Sequence, residues 1–169
     1  MSIKRYGYSS LNDRQISHLH SQTKGKRVLD LGAGNLDLSV LCSNSAALVF
    51  AIDSRKPANT NLPQNVSFIR ACFDEVNIAA DVALVSWPIN NDDASMGLIK
   101  VLADVKKVIY IGTNDGCSTM CGTPLLWRHL VSREMESHLL GMNNLLVYSD
   151  QPRSKPLLDE EKNGLSAYD

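Results

Sequence analysis

Val28-Leu29-Asp30-Leu31-Gly32-Ala33-Gly34-Asn35-Leu36-Asp37 is the most telling stretch of this chain. The branched apolar residues Val28, Leu29 and Leu31 suit a strand covered on both faces. Gly32 and Gly34 allow a sharp turn and leave no Cβ in the way of a ligand. A helix beginning near residue 36 would bring free N–H groups and the positive end of its dipole to the same place. A strand, a glycine turn and a helix in this order either form a crevice for a nucleotide-like cofactor or make a plain structural joint that holds no ligand.

Two cofactor types compete for such a crevice. A dinucleotide site asks for Gly-x-Gly-x-x-Gly, whose third glycine lets helix and strand pack closely beneath a pyrophosphate. This chain has Gly32-x-Gly34-x-x-Asp37. A carboxylate at 37 would repel a pyrophosphate and suits a cofactor with a positive centre and an ammonium group. Asp30, just before the turn, points the same way. The string resembles the first motif of the class I methyltransferases that use S-adenosyl-L-methionine, an apolar strand followed by Asp/Glu-x-Gly-x-Gly. The resemblance implies that Asp30, Gly32, Ala33, Gly34, Asn35 and Asp37 bind the amino-acid part of that cofactor, with the acidic residue orienting either its ammonium group or the turn.

Working outward, the N-terminal side predicts a helix capped by Ser10, running to about Thr23 and stopped by Gly25. Downstream come a helix at about 36–43 and a strand from Ala47 to Ile52, ending at Asp53. Residues 54–65 are too rich in Pro and Asn for a good helix. Further strands are expected at 66–70, 82–86 and 108–111, with helices at about 93–104 and 124–131. Residues 134–140 alternate imperfectly, Gly141-Met142-Asn143-Asn144 is a turn signal, and Leu145 to Tyr148 form another apolar run. The pair reads as a β-hairpin, with a helix continuing to Leu140 as the alternative. The fold class predicted is α/β, a doubly wound, mostly parallel seven-stranded sheet. A terminal antiparallel hairpin is the arrangement of the resembled family and not of ordinary dinucleotide folds. Residues 1–150 read as one domain and 151–169 as a polar, loose tail.

Other candidate site residues stand at strand ends. Asp53 follows the glycine turn by about 20 residues, where a carboxylate can accept both hydroxyls of a ribose; the lesser alternative is an Asp that caps a turn beside Ser54. After the 66–70 strand, the family often carries an Asp that accepts from the adenine amino group. Here Cys72 stands in that place, Asp74 comes two residues later, and Phe73 either packs on the adenine ring or belongs to the core. Ser86-Trp87-Pro88 follows the next strand, where the family holds its methyl acceptor. It is not the Asn/Asp-Pro-Pro-aromatic motif of amino-methylating nucleic-acid enzymes. It is similar to an uncharacterised methyltransferase-like set that also carries Ile-Tyr-Ile-Gly and Gly-Cys, here at 109–112 and 116–117. Trp87 could stack on a ring or serve as a core aromatic. Asn114, Asp115 and Cys117 would lie on the crevice rim or form a common turn. Tyr6 and Tyr8 are expected to cover the mouth.

Composition bounds the rest. The 169 residues are 44% apolar, with no run near the ~20 residues that span a membrane. The first residues lack a secretory signal, so a cytoplasmic chain with free thiols is expected. Cys117 and Cys121 are the only close cysteine pair and no His supports them, so no metal site is expected. Residues 1–27 carry a net +5 and the remainder −6. The basic arm can attract phosphates or be a solvated face. The resemblance implies an S-adenosylmethionine-dependent methyltransferase, and the charge pattern and the missing amine-holding motif lead us to expect a small-molecule or protein acceptor rather than nucleic acid. The alternatives are a non-catalytic binding protein that keeps the fold and, behind it, an NAD-type enzyme. No single catalytic residue is predicted.

Overall fold

Apolar runs too short for helices and bounded by turn residues build the centre of the molecule. The computed structural model describes residues 3–58, 61–113 and 122–152. They form β1 (Ile3–Tyr6), β2 (Ser9–Asn12), α1 (Asp13–Thr23), β3 (Arg27–Leu31), α2 (Asp37–Ser43), β4 (Leu48–Asp53), β5 (Val66–Arg70), a 3-10 turn (Phe73–Glu75), β6 (Val82–Ser86), α3 (Asp92–Ala103), β7 (Lys107–Gly112), α4 (Pro124–Val131), β8 (Arg133–Leu139) and β9 (Asn144–Pro152).

Seven strands make one sheet in the order β5-β4-β3-β6-β7-β9-β8. The first five are parallel, while β9 runs antiparallel to both β7 and β8. This is the mixed sheet with a closing hairpin expected from the sequence, and residues 133–139 are strand rather than helix. From β3 the chain winds outward through β4 and β5, then returns to β6 on the other side. The switch of direction lies between β3 and β6, where open α/β sheets leave a crevice at the carboxyl ends of their strands.

Alternation along each strand divides the core. Leu29, Leu31, Val108 and Tyr110 face Leu98, Leu102, Leu126 and Trp127 of α3 and α4. Val28, Ile109 and Ile111 face Leu19, Leu38, Leu41 and Cys42 of α1 and α2. Each helix end is secured locally. Asn12 caps α1 in a reciprocal pair with Gln15, Asn91 caps α3, and Thr123 caps α4 with Pro124 behind it. The buried Arg133 of β8 donates to the carbonyls of Leu102, Val105 and Ser149, so it closes the C-terminal end of α3.

One prediction fails at the N-terminus. The cap of α1 is Asn12, not Ser10, and the residues before it form the separate β1–β2 hairpin. Tyr6 pairs with Ser9, leaving a two-residue loop of Gly7 and Tyr8. Gly7 takes a φ of 58°, the glycine-first pattern of a type II′ turn. The two short strands escape notice because β1 is exposed and mostly polar. Residues 153–169, expected to be a tail, lie outside the described residues; β9 reaches Pro152.

Candidate active site

Gly32 and Gly34 adopt φ values of 79° and 54°, so the turn needs residues that carry no left-handed penalty. The N–H groups of Gly32 and Ala33 both donate to the carbonyl of Ile52, which ties the turn to β4 (2.9 and 3.0 Å). Among the described residues nothing lies within 4 Å of where a Cβ on Gly34 would sit. The turn therefore holds its shape and leaves open space above it.

Asp53, at the end of β4, is 93% buried, and each carboxylate oxygen already accepts one backbone N–H. Oδ2 takes Gly34 N at 2.9 Å, and Oδ1 takes Arg55 N at 2.8 Å. The residue thus caps its own turn and also clips the glycine turn. Each oxygen keeps a second acceptor site, so a ribose diol can still be held. The Arg55 guanidinium, 3.9 Å away and 87% exposed, is too well solvated to compete.

Asp30 faces away from the open side. It is buried against α2, where Oδ2 accepts from Ser39 Oγ at 2.5 Å. Desolvation, with the Asp53 charge adding to it, raises its pKa to about 6 against the Ser39 hydrogen bond. Of the two roles expected for it, this placement favours orienting the turn over touching the ligand. Asp37 and Asn35 are exposed on the other side of the turn.

The neighbouring strands supply the remaining walls. Cys72 is exposed beyond the end of β5, Asp74 and Glu75 follow in the 3-10 turn, and Glu75 accepts from the Cys72 N–H at 2.8 Å. Ser54 is exposed beside Asp53. Phe73 packs against the core, the second of its two expected placements. Its ring edge comes within 3.7 Å of a Cβ position at Gly32, and its own Cβ lies 3.0 Å from that of a side chain at Gly97. The ring therefore bridges the glycine turn and α3. At the end of β6, Trp87 has a φ of 49°, an outlier for a bulky residue that costs roughly 1–3 kcal/mol. Its N–H continues the ladder to Ile111, and Gly122 N donates to the Pro88 carbonyl. Among the described residues the buried Trp87 indole N–H has no hydrogen-bond partner.

The hairpin supplies a cover that the sequence only partly foretells. Ser9 Oγ and Ser86 Oγ are 2.8 Å apart, and a Cβ at Gly7 would meet Asp37 Oδ2 at 3.4 Å. Ser10 N donates to Asn143 Oδ1 at 2.5 Å, on the β8–β9 turn. The loop carrying Tyr8 thus lies across the carboxyl ends of β3 and β6, beside the switch point. Asn114, Asp115, Cys117 and Cys121 fall outside the described residues. Among the described residues no cluster of His, Cys, Asp and Glu is arranged to hold a metal ion.

The fold now has known counterparts. An N-methyltransferase, NodS, from Bradyrhizobium japonicum WM9 superposes with a TM-score of 0.65 at 10% identity, over 82% of this chain and 93% of that one. A candidate RNA methyltransferase from Pyrococcus horikoshii gives 0.62 at 16% identity, over 84% and 82%. Magnesium protoporphyrin IX methyltransferase from Synechocystis PCC 6803, solved with bound SAM, gives 0.62 at 13% identity, over 84% and 77%. No protein-family model and no curated protein matches the sequence. The chain has the class I methyltransferase-like fold.

Proposed function

We propose that this protein is a cytoplasmic S-adenosylmethionine-dependent methyltransferase whose acceptor is a small molecule or a protein side chain. The observation that carries this reading is the glycine turn at the switch point, surrounded by Asp30, Asp37 and Asp53 with no third glycine. Such a turn suits a sulfonium with an ammonium group and opposes a pyrophosphate. In this reading Gly32, Ala33, Gly34, Asn35 and Asp37 border the amino-acid part, Asp53 and Ser54 the ribose, and Cys72 and Phe73 the adenine. Ser86 and Trp87 stand toward the acceptor.

The cofactor supplies a methyl group on a strong electrophile. The protein's task is then alignment rather than proton transfer, because a well-oriented pair of reactants gains much of its rate from proximity. A dedicated base is needed only for a poor nucleophile. The hairpin narrows the mouth, which supports an acceptor that is small or is presented on a slender chain.

The test is thermal unfolding with S-adenosylhomocysteine, S-adenosylmethionine and NAD. A ligand that binds only the folded state adds about 2.7 kcal/mol at 100 times its dissociation constant. Stabilisation by the two sulfur compounds and not by NAD is expected; the reverse ranking overturns the reading. Exposed Cys72, where the family places an adenine partner, favours a second reading of a binding protein without turnover. That reading gains if the cofactor binds but no small-molecule or peptide library draws its methyl group.

A further inference from the structure

We infer that the tip of the β1–β2 hairpin, residues 6–9, is a lid over the crevice, hinged at Ser10 and Leu11 and latched by the hydroxyls of Ser9 and Ser86. Two contacts set where the tip rests. Ser9 Oγ lies 2.8 Å from Ser86 Oγ at the end of β6. A Cβ on Gly7 would stand 3.4 Å from Asp37 Oδ2 at the start of α2, so the tip backbone packs beside that carboxylate. α2 follows β3, and β3 and β6 are neighbours in the sheet. The tip therefore bridges the two strands that flank the switch point, next to the glycine turn.

Base and tip are held unequally. At the base, Leu11 is fully buried, Ser10 N donates to Asn143 Oδ1, and Asn12 shares a reciprocal cap with Gln15. Gln15 in turn donates to the carbonyls of Leu139 and Asn143. At the tip, Tyr8 keeps 76% of its surface exposed, and Tyr6, opposite Ser9, is only half-buried. Among the described residues, the Ser9–Ser86 bond is the one side-chain hydrogen bond that ties the tip to the sheet. Segments with few buried contacts open first, so this gradient puts the moving part at the tip. Opening there also leaves no polar group alone. Both partners of the latch are hydroxyls that water serves once they part. Lifting the base instead would strip the buried Gln15 of its partners.

The consequence for a ligand rests on the methyltransferase reading. In that reading Asp37 borders the amino-acid part of the cofactor and Ser86 stands toward the acceptor. The closed tip spans both places. A cofactor seated beneath it leaves only when the tip lifts, and its presence holds the tip down. Closure of this kind slows exchange of the bound molecule and keeps water from the reacting atoms.

The experiment locks the lid. The two hydroxyl oxygens are 2.8 Å apart, so sulfur atoms in their places come within reach of a disulfide. The S9C/S86C double variant of the full chain is oxidised, and peptide mass mapping identifies the 9–86 link. Rapid filtration of tritiated S-adenosylhomocysteine then gives its rates of binding and release. The linked protein should bind and release the ligand at least tenfold more slowly than the same protein after reduction. Ser9→Ala, which removes the latch, should release it at least threefold faster than wild type. In ligand-free wild type, the amides of residues 6–9 should exchange hydrogen at least tenfold faster than those of residues 10–12, and the ligand should slow them. The proposal is overturned if the 9–86 link does not form, or if the linked and reduced proteins exchange ligand at the same rate. It is also overturned if Ser9→Ala releases ligand no faster, or if tip and base amides exchange alike. Absence of S-adenosylhomocysteine binding in the wild type would sink the methyltransferase reading instead, and the 9–86 link and the hydrogen exchange would then decide for or against the lid.

Discussion

Asp30 carries a carboxylate sealed beneath the glycine turn with one hydroxyl donor, and this has a measurable cost. Its pKa rises from 3.8 to about 6, so the folded state holds the proton more tightly than the unfolded state. The contribution of Asp30 to stability is therefore greatest below the unfolded value and falls as pH rises through that window, by roughly 3 kcal/mol in total. Asp30→Asn should remove this slope and unfold at a higher temperature than wild type at pH 7.5; urea titrations from pH 4 to 7.5 check both. The same variant tests whether the charge also matters for the cofactor, by calorimetry with S-adenosylhomocysteine. At Gly32 the expectation is loss of that binding in Gly32→Val, together with a stability drop of about 1–2 kcal/mol from forcing a branched residue to positive φ. Normal binding by this variant would mean the crevice lies elsewhere. Asp53→Ala should weaken S-adenosylhomocysteine by roughly 1.5–3 kcal/mol, the scale of hydrogen bonds to a charged group, and calorimetry reads this directly. The turn itself is legible in the sequence, since its glycines, acids and preceding apolar run are all adjacent. The direction of Asp30 is not, because it depends on which face of β3 receives α2.

At the scale of elements, legibility follows burial. β5 and β6 are predicted to the residue, because Val66–Arg70 and Val82–Ser86 are apolar-rich runs between turn residues. The β1–β2 hairpin is invisible for the opposite reason. An isolated two-stranded ribbon is marginal in water, and this one is held by Ser9 on Ser86, Ser10 on Asn143 and a buried Leu11. Such partners, more than 70 positions away, leave no local trace. Gln15 is the joint between these parts. Its side chain is buried, accepts from Asn12 N and donates to the carbonyls of Leu139 and Asn143. Gln15→Leu should lower stability by about 2–3 kcal/mol, because buried backbone groups lose their partners. Hydrogen exchange should show the loss concentrated in residues 3–15 and 139–144. Uniform loss across the sheet would contradict the assignment of Gln15 as a local joint.

For the whole molecule, the charge asymmetry makes its own prediction. The basic N-terminal arm becomes a cover with Lys4 and Arg5 exposed, while Asp37, Asp74, Asp92 and Asp93 are exposed at or near the strand ends. Binding to a mixed RNA and DNA pool should therefore be weaker than micromolar at physiological salt. Tight, steeply salt-sensitive binding that disappears on neutralising Lys4, Arg5 and Arg14 would reverse the preference for a small or protein acceptor. The tie between Ser10 and Asn143 also bears on how the chain is made. A ribosome delivers residues 3–12 well before residues 139–144, yet their seat is completed only when the β8–β9 turn has emerged. Through most of synthesis the glycine turn would stand uncovered, with the amino-terminal strands waiting for a surface that does not yet exist. The cover is made early and seated late, so its arrival follows assembly of the sheet it rests on.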